Sequence, residues 1–370
     1  MQQEKIGAHQ FAILVILFCL GSSVLLVPAA LAGHAKQDGW IAGIVGVLLG
    51  CAVIMLFNAY DKQIGQKGFV DACQFLLGKW IGTALAAVFV IHAFMLSVFM
   101  LRFIGDFMTT QIMPETPIEA ILIMFVAIIV LAVAYGLETF SRTAEYIFPW
   151  LILLFLVLAG TVIAQIDLSN LQPVLFNGFA PVVRGSLVFV GIPYMELVLF
   201  LLILPSVDGM DKRKKAFIIA GLIGGLIVVA VTFLTLSVLG PLLTVRNVYP
   251  SFTLSKKINI GQFLKRIEAL MAIFWFLAIF FKTTVTFYVT AKGLSQLLRL
   301  PKYQSVLIPI GIAAVVYAQI VYPDIVFGTR FANTAWMPYA SLVAIFVPLI
   351  LIIAAKIRKK ATALKSSRAK

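Results

Sequence analysis

The sequence predicts an all-α integral membrane protein of ten transmembrane helices, arranged as a 5+5 inverted repeat. Three observations predict it. Of the 370 residues, 62% are hydrophobic and only 12% are charged, whereas a soluble domain carries roughly a quarter charged residues. The apolar residues fall in runs of about twenty, and at a rise of ~1.5 Å per residue each run crosses a hydrocarbon layer of ~30 Å. The first and sixth runs are interrupted by small residues and proline, and paired broken helices at matching positions mark inverted-repeat transporters. This composition excludes a soluble enzyme, a secreted disulfide scaffold and a nucleic-acid-binding domain.

In order, the spans read at about 8–33, 39–60, 80–106, 117–136, 142–166, 183–205, 216–240, 266–291, 304–321 and 335–357. They form one transmembrane domain with a first repeat over 8–166, a second over 183–357 and a basic tail over 358–370. Residues 61–79 read as a short interfacial helix, 167–182 as the outer loop joining the repeats, and 241–265 as an outer loop with a short helix capping a vestibule. The net charge of +14 is sorted by side. With the N-terminus inside, nineteen Lys and Arg, including Lys212-Arg213-Lys214-Lys215 and the tail, fall on the cytoplasmic side against eight outside. That bias fixes both termini as cytoplasmic and assigns the charge to topology and anionic lipid rather than nucleic acid. Residues 11–20 followed by Ala30-Leu31-Ala32 also permit a signal-peptide reading, although cleavage would remove the first interruption.

The interruptions carry the chemistry. Span one contains Gly21-Ser22-Ser23-Val24 ahead of Pro28, and span six contains Val190-Gly191-Ile192-Pro193 ahead of Glu196. A broken helix leaves backbone N–H and C=O groups that must find partners at membrane depth. The half-helix beginning after Gly21 offers N–H groups and a positive dipole end to a carboxylate. The half-helix ending near Gly191 offers carbonyls to an ammonium. Together they describe a receptor for an amino acid. Val98 and Leu101 in span three, and Thr284 and Phe287 in span eight, are each three apart on one helix face and read as pocket walls. Cys19, Cys51, Cys73, His9, His34 and His92 match no metal or nucleophile spacing, so neither a cofactor nor an enzymatic reaction is implied.

The Leu20-Gly21-Ser22-Ser23-Val24…Pro28 segment resembles the Gly-Ser-Gly-Ile signature in helix 1 of the amino acid–polyamine–organocation (APC) superfamily, with Ser23 in place of the second glycine. Gly191 to Glu196 occupies the place of that superfamily's helix-6 Gly-Phe-Glu break, with three extra residues. Gln37-Asp38-Gly39-Trp40 and the stretch from Gly261 to Trp275 are similar to the spore germination receptor B subunits, the spore permease family. The resemblance implies a LeuT-like fold and a germinant sensor in the inner membrane of an endospore. It also implies a receptor shared with an A subunit and a lipoprotein C subunit. Its amino acid site would fall at Gly21, Ser22, Ser23 and Val24 and at Gly191, Ile192 and Pro193.

Two ionisable residues lie deep in the spans. Lys282 is 16 residues beyond Arg266 and Glu196 is 13 beyond Val183, roughly 24 Å and 20 Å from the same side. They read either as a buried ion pair that holds the two helices in register or, alternatively, with Lys282 as a fixed positive charge beside the break in helix 1, where the resemblance implies a bound cation in sodium-coupled relatives. Arg102 and Asp106 read as a half-exposed pair at the outer mouth, and Trp40, Trp80, Trp150 and Trp336 as interfacial anchors. The ligand read from these walls is a small neutral amino acid, sensed and signalled to partner subunits; proton-coupled amino acid transport is the alternative.

Overall fold

The computed structural model describes residues 4–65, 67–257 and 267–368. The described chain is all-helical apart from one parallel bridge between Ile6 and Val207. The helices are α1 Ala8–Leu20, α2 Ser23–Ala35, α3 Gly39–Ile64, α4 Phe69–Leu77, α5 Lys79–Phe107, α6 Ile118–Ala134, α7 Leu137–Ile163 and α8 Ala180–Gly191. They continue as α9 Met210–Arg246, α10 Pro250–Lys257, α11 Ile267–Leu297, α12 Leu307–Ile320, α13 Ile325–Thr334, α14 Trp336–Ser341 and α15 Val347–Arg368. Among the described residues, eight helical stretches are long and apolar enough to cross a membrane, with two shorter apolar helices, Ala8–Leu20 and Ile118–Ala134. Such a chain is a multi-pass integral membrane protein.

Packing divides the helices into two groups. α1, α2 and α3 gather around α9, with α8 packed on α2 and α3, while α5 packs on α11 and α12, and α6 on α11 and α12. The first group holds both interrupted helices. Lys36, at φ 53° and ψ −127°, turns the chain between α2 and α3, which then pack against each other and against α8.

The interruptions differ in depth. Between α1 and α2 only Gly21 and Ser22 drop out of the ladder; both keep right-handed dihedrals, and the Gly21 N–H still donates to the Leu17 carbonyl. After α8 the chain passes through Ile192-Pro193-Tyr194 into a 3₁₀ segment, Met195–Leu202. A 3₁₀ run of eight residues is long for that geometry. Proline without an N–H and glycine at the helix end explain why α8 stops where it does. Tyr194 fills the space this creates: its ring lies against Gly50 of α3 and its hydroxyl donates to the Gly221 carbonyl of α9 at 2.9 Å. A side chain at Gly50 or Gly225 would occupy the ring's volume.

In three connections helix extends beyond the expected spans. The interfacial helix is confined to Phe69–Leu77, because α3 continues to Ile64 before Gly65 turns the chain. The connection between the spans 304–321 and 335–357 contains α13, capped by Asp324 Oδ1 accepting from the Phe327 N–H at 2.8 Å. The tail over 358–368 continues α15 as helix. The short helix expected in the 241–265 loop is α10, anchored by Ser251 Oγ donating to the Val24 carbonyl at 2.7 Å. Residues 258–266, with Gly261 to Arg266 of the family-like stretch, lie outside the described residues.

Candidate ligand site at the helix interruptions

The buried ends of the two interrupted helices meet α11 at one point. Lys282 Nζ lies 2.5 Å from Glu196 Oε2 and donates to Ser22 Oγ at 2.6 Å. All three residues are at most 2% exposed. The Phe18 ring centroid is 5.0 Å from the ammonium, a cation–π contact. Each partner answers the cost of holding a charge at that depth. The ion pair read from helix depth therefore forms, and it joins α11, the 3₁₀ segment and the α1/α2 junction.

Gly21 is where the Lys282 stem crosses α1. A Cβ there would sit 2.5 Å from Lys282 Cδ and 2.7 Å from its Cβ. Glycine is required at this position by the lysine. The neighbouring Ser23 hydroxyl is fully buried and has no hydrogen-bond partner among the described residues. On the opposing interruption, Trp336 Nε1 donates to the Gly191 carbonyl at 3.2 Å and Cys19 Sγ donates to the Pro193 carbonyl at 3.6 Å. Two of the carbonyls freed where α8 ends are thus held by side chains.

Above Ser22 and Glu196 opens a narrow cleft. Its walls are Phe99, Met100 and Phe103 of α5, Leu26 of α2, Ile192, Tyr322, Trp336 and the face of α13 made by Ile325, Gly328, Thr329 and Ala332, with Phe331 beside it. Of the residues expected at the site, Ser22, Ile192 and Glu196 line this cleft, with Lys282 directly behind them. Gly21, Ser23, Val24, Val190, Gly191 and Pro193 surround that point within the helix ends. Val98, Leu101, Thr284 and Phe287 are fully buried but do not face the cleft. Thr284 donates to the Phe280 carbonyl of its own helix at 2.8 Å, and Phe287 packs within the core. On α5 the wall is the adjacent face, Phe99, Met100 and Phe103.

Three further readings of the sequence are corrected. Trp336 is not an interfacial anchor: it is 6% exposed and stacks against the cleft, whereas Trp80 and Trp150 are 86% and 71% exposed as anchors should be. Arg102 and Asp106 are not half-exposed; their side chains are 11% and 9% exposed. Arg102 Nε donates to Asp106 Oδ1 at 2.9 Å, and Tyr322 donates to Asp106 Oδ2 at 2.7 Å, pinning a cleft wall to α5. Arg213 is not a surface charge of the basic run: it is fully buried and forks onto Asp61, Nε to Oδ2 at 2.9 Å and Nη2 to Oδ1 at 2.5 Å.

The N-terminal segment, which no sequence motif announced, is tied to distant parts of the chain. Ile6 exchanges backbone bonds with Ser206 and Asp208. Glu4 accepts from Tyr288 at 2.6 Å, from the Leu137 N–H at 3.1 Å and from Tyr303 at 3.1 Å, with Lys292 Nζ at 3.4 Å. Burial raises the Glu4 carboxyl, but the Tyr288 hydroxyl, the Lys292 ammonium and the other donors outweigh it, so its pKa lies below the usual 4.5. A depressed carboxylate stabilises the fold above its unfolded pKa and loses that contribution as pH falls through the folded value. Glu4→Gln should therefore melt below the parent at pH 7, and the two melting curves should converge as pH drops below 4.5. A gap that persisted in acid would assign the effect to packing rather than charge.

Comparison with known proteins gives the family and the fold. The Spore_permease family model, described as spore germination protein, matches residues 5–323. Spore germination protein KB of Bacillus subtilis is 29% identical over 330 residues, covering 85% of each chain. Spore germination protein A2 of the same organism is 28% identical over 94% of this chain and 93% of its own. Among solved structures, MhsT in complex with L-phenylalanine aligns with a TM-score of 0.69 at 12% identity, over 96% of this chain and 99% of that one. Mhp1, a nucleobase-cation-symport-1 family transporter, in a closed conformation with bromovinylhydantoin bound, aligns with a TM-score of 0.67 at 13% identity, over 92% and 78%. At those identities the likeness shows the fold alone, that of LeuT-type transporters. With a family match over most of its length, this chain belongs to the spore germination protein (spore permease) family.

Proposed function

We propose that the protein is the B subunit of a germinant receptor: a ten-pass sensor whose discontinuous helices 1 and 6 bind a neutral amino acid at Ser22, Ile192 and Glu196. In this reading α1 and α2 together make the first crossing and α6 the fourth. Both termini are cytoplasmic, and the membrane is the inner membrane of the spore. Binding favours one arrangement of the α1, α2, α3, α8 and α9 group, by no more than the ligand's differential affinity for two states. An A subunit and a lipoprotein C subunit receive that shift. The observation that carries the proposal is the polar cluster of Ser22, Glu196 and Lys282 at the floor of an otherwise apolar cleft, the arrangement expected of a small-molecule site. The aromatic walls move the expected ligand from the smallest amino acids toward those with apolar bulk.

Lys282 serves as a tethered ammonium beside the α1/α2 junction, so binding needs no sodium. A thermal-shift screen of the purified chain against the twenty amino acids, in sodium and in potassium buffer, tests this. Stabilisation by neutral apolar amino acids, equal in both salts, is the expected result. Preference for lysine or glutamate, or strict sodium dependence, would contradict it.

Proton-coupled transport is the second reading, favoured by the fold of the solved neighbours and by a carboxylate facing the cleft. Uptake of labelled amino acid into liposomes, with and without a pH gradient, separates the two; gradient-driven accumulation would replace sensing by transport.

A further inference from the structure

Building on the reading that the cleft takes an amino acid, we propose that the Glu196–Lys282 ion pair occupies the ligand's own charge sites, and that a zwitterion binds by exchange. The incoming ammonium takes Glu196 and the incoming carboxylate takes Lys282.

Position argues for this first. Glu196 lines the cleft while Lys282 lies behind it, so among the described lining residues the charge presented to an entering molecule is a carboxylate among aromatic rings. Phe99, Phe103, Tyr322 and Trp336 suit an ammonium with an apolar body, through cation–π attraction and burial. Once Glu196 turns to the ligand, Lys282 keeps its contacts with Ser22 Oγ and the Phe18 ring and stays in place. The ligand carboxylate then fills the position Glu196 leaves. Ser23, next to Ser22 in the chain, carries a buried hydroxyl with no hydrogen-bond partner among the described residues, a spare donor close to the pair in sequence. A buried polar group without a partner is rare enough to require an explanation.

Charge balance argues for it second. A neutral pair plus a neutral zwitterion yields two pairs, and no charge is left over. A lone amine or a lone carboxylate leaves one buried charge uncompensated, which a site this deep penalises strongly. Exchange also supplies the differential contact that a sensor needs. The direct tie between the 3₁₀ segment Met195–Leu202 and α11 is replaced by one that runs through the ligand.

The test uses the full chain in lipid nanodiscs and equilibrium binding by calorimetry. L-alanine, L-leucine and L-phenylalanine are each compared with their decarboxylated analogues (ethylamine, isoamylamine, phenethylamine) and their deaminated analogues (propanoate, isocaproate, hydrocinnamate). In the wild type, whichever amino acids bind should do so on the order of a hundredfold more tightly than either analogue. In Lys282→Met, amino acid affinity should fall by a similar factor while the amine gains, so their ratio collapses toward one. The double variant Glu196→Gln/Lys282→Met, which removes both charges, should melt no lower than the wild type and bind none of them. A wild type that binds an amine as tightly as its amino acid overturns the exchange, and that comparison decides even where Lys282→Met does not fold. A Lys282→Met protein that keeps the wild-type preference also overturns it, leaving the amino acid site itself standing. Failure of every amino acid to bind the wild type removes the site and the exchange together.

Discussion

Replacing Arg213 with Met should lower stability by about 3–5 kcal/mol, because it strands the Asp61 carboxylate in a site 2% exposed. Both Asp61 oxygens accept from the guanidinium, and Nη1 donates to the Val207 carbonyl at 3.1 Å. The residue thus fastens α3 to the start of α9 and to the strand-like stretch that pairs with Ile6. Lys in its place should recover only part of the loss, since an ammonium cannot fork onto a carboxylate. Asp61→Leu/Arg213→Met, which leaves no charge behind, should restore most of it. Thermal melts of the detergent-solubilised variants measure all three. A loss below about 1 kcal/mol in Arg213→Met would mean that water reaches the pair.

Gly21→Ala should abolish ligand binding while leaving a helical, folded protein. The added methyl meets the Lys282 stem at 2.5 Å rather than open space, and overpacking of this kind costs typically 1–3 kcal/mol. Lys282 must move, which breaks its contacts with both Ser22 and Glu196. The effect should be read as a lost ligand-induced shift in melting temperature, together with a modest fall in the ligand-free value. Trimming the lysine to its Cβ in the background of the alanine, as Gly21→Ala/Lys282→Ala, removes the Cδ and Cγ contacts and should relieve part of the crowding without restoring binding. Wild-type affinity in Gly21→Ala would break the link between the glycine and the lysine.

Much of this was legible in the sequence because helix geometry carries depth. Counting residues from the span ends placed Glu196 and Lys282 level with each other, and they touch. Gly21-Ser22 and Gly191-Ile192-Pro193 showed where the helices give way, since glycine and proline act on the backbone locally. Rotation and distant partners were not legible. On α5 the spacing of Val98 and Leu101 was correct for a helix face, but the cleft takes the adjacent face, and tertiary packing alone selects between them. Arg213 was hidden in a run of four basic residues, because its partner lies 152 positions away. α13 was missed although it carried a signal: Asp324 as a cap, followed by cleft-facing residues at 325, 328, 329 and 332, the spacing of one helical face. Glu4 gave no signal, because its four partners come from three distant parts of the chain.

A photo-reactive analogue tests the central claim most directly. A diazirine-bearing leucine, bound to the purified chain and irradiated, should insert into the cleft walls. Peptide mass spectrometry should locate the adducts on stretches 22–26, 99–103 and 325–336, with competition by excess L-leucine removing them. Adducts confined to other surfaces, or insensitive to competing amino acid, would contradict binding at the helix interruptions.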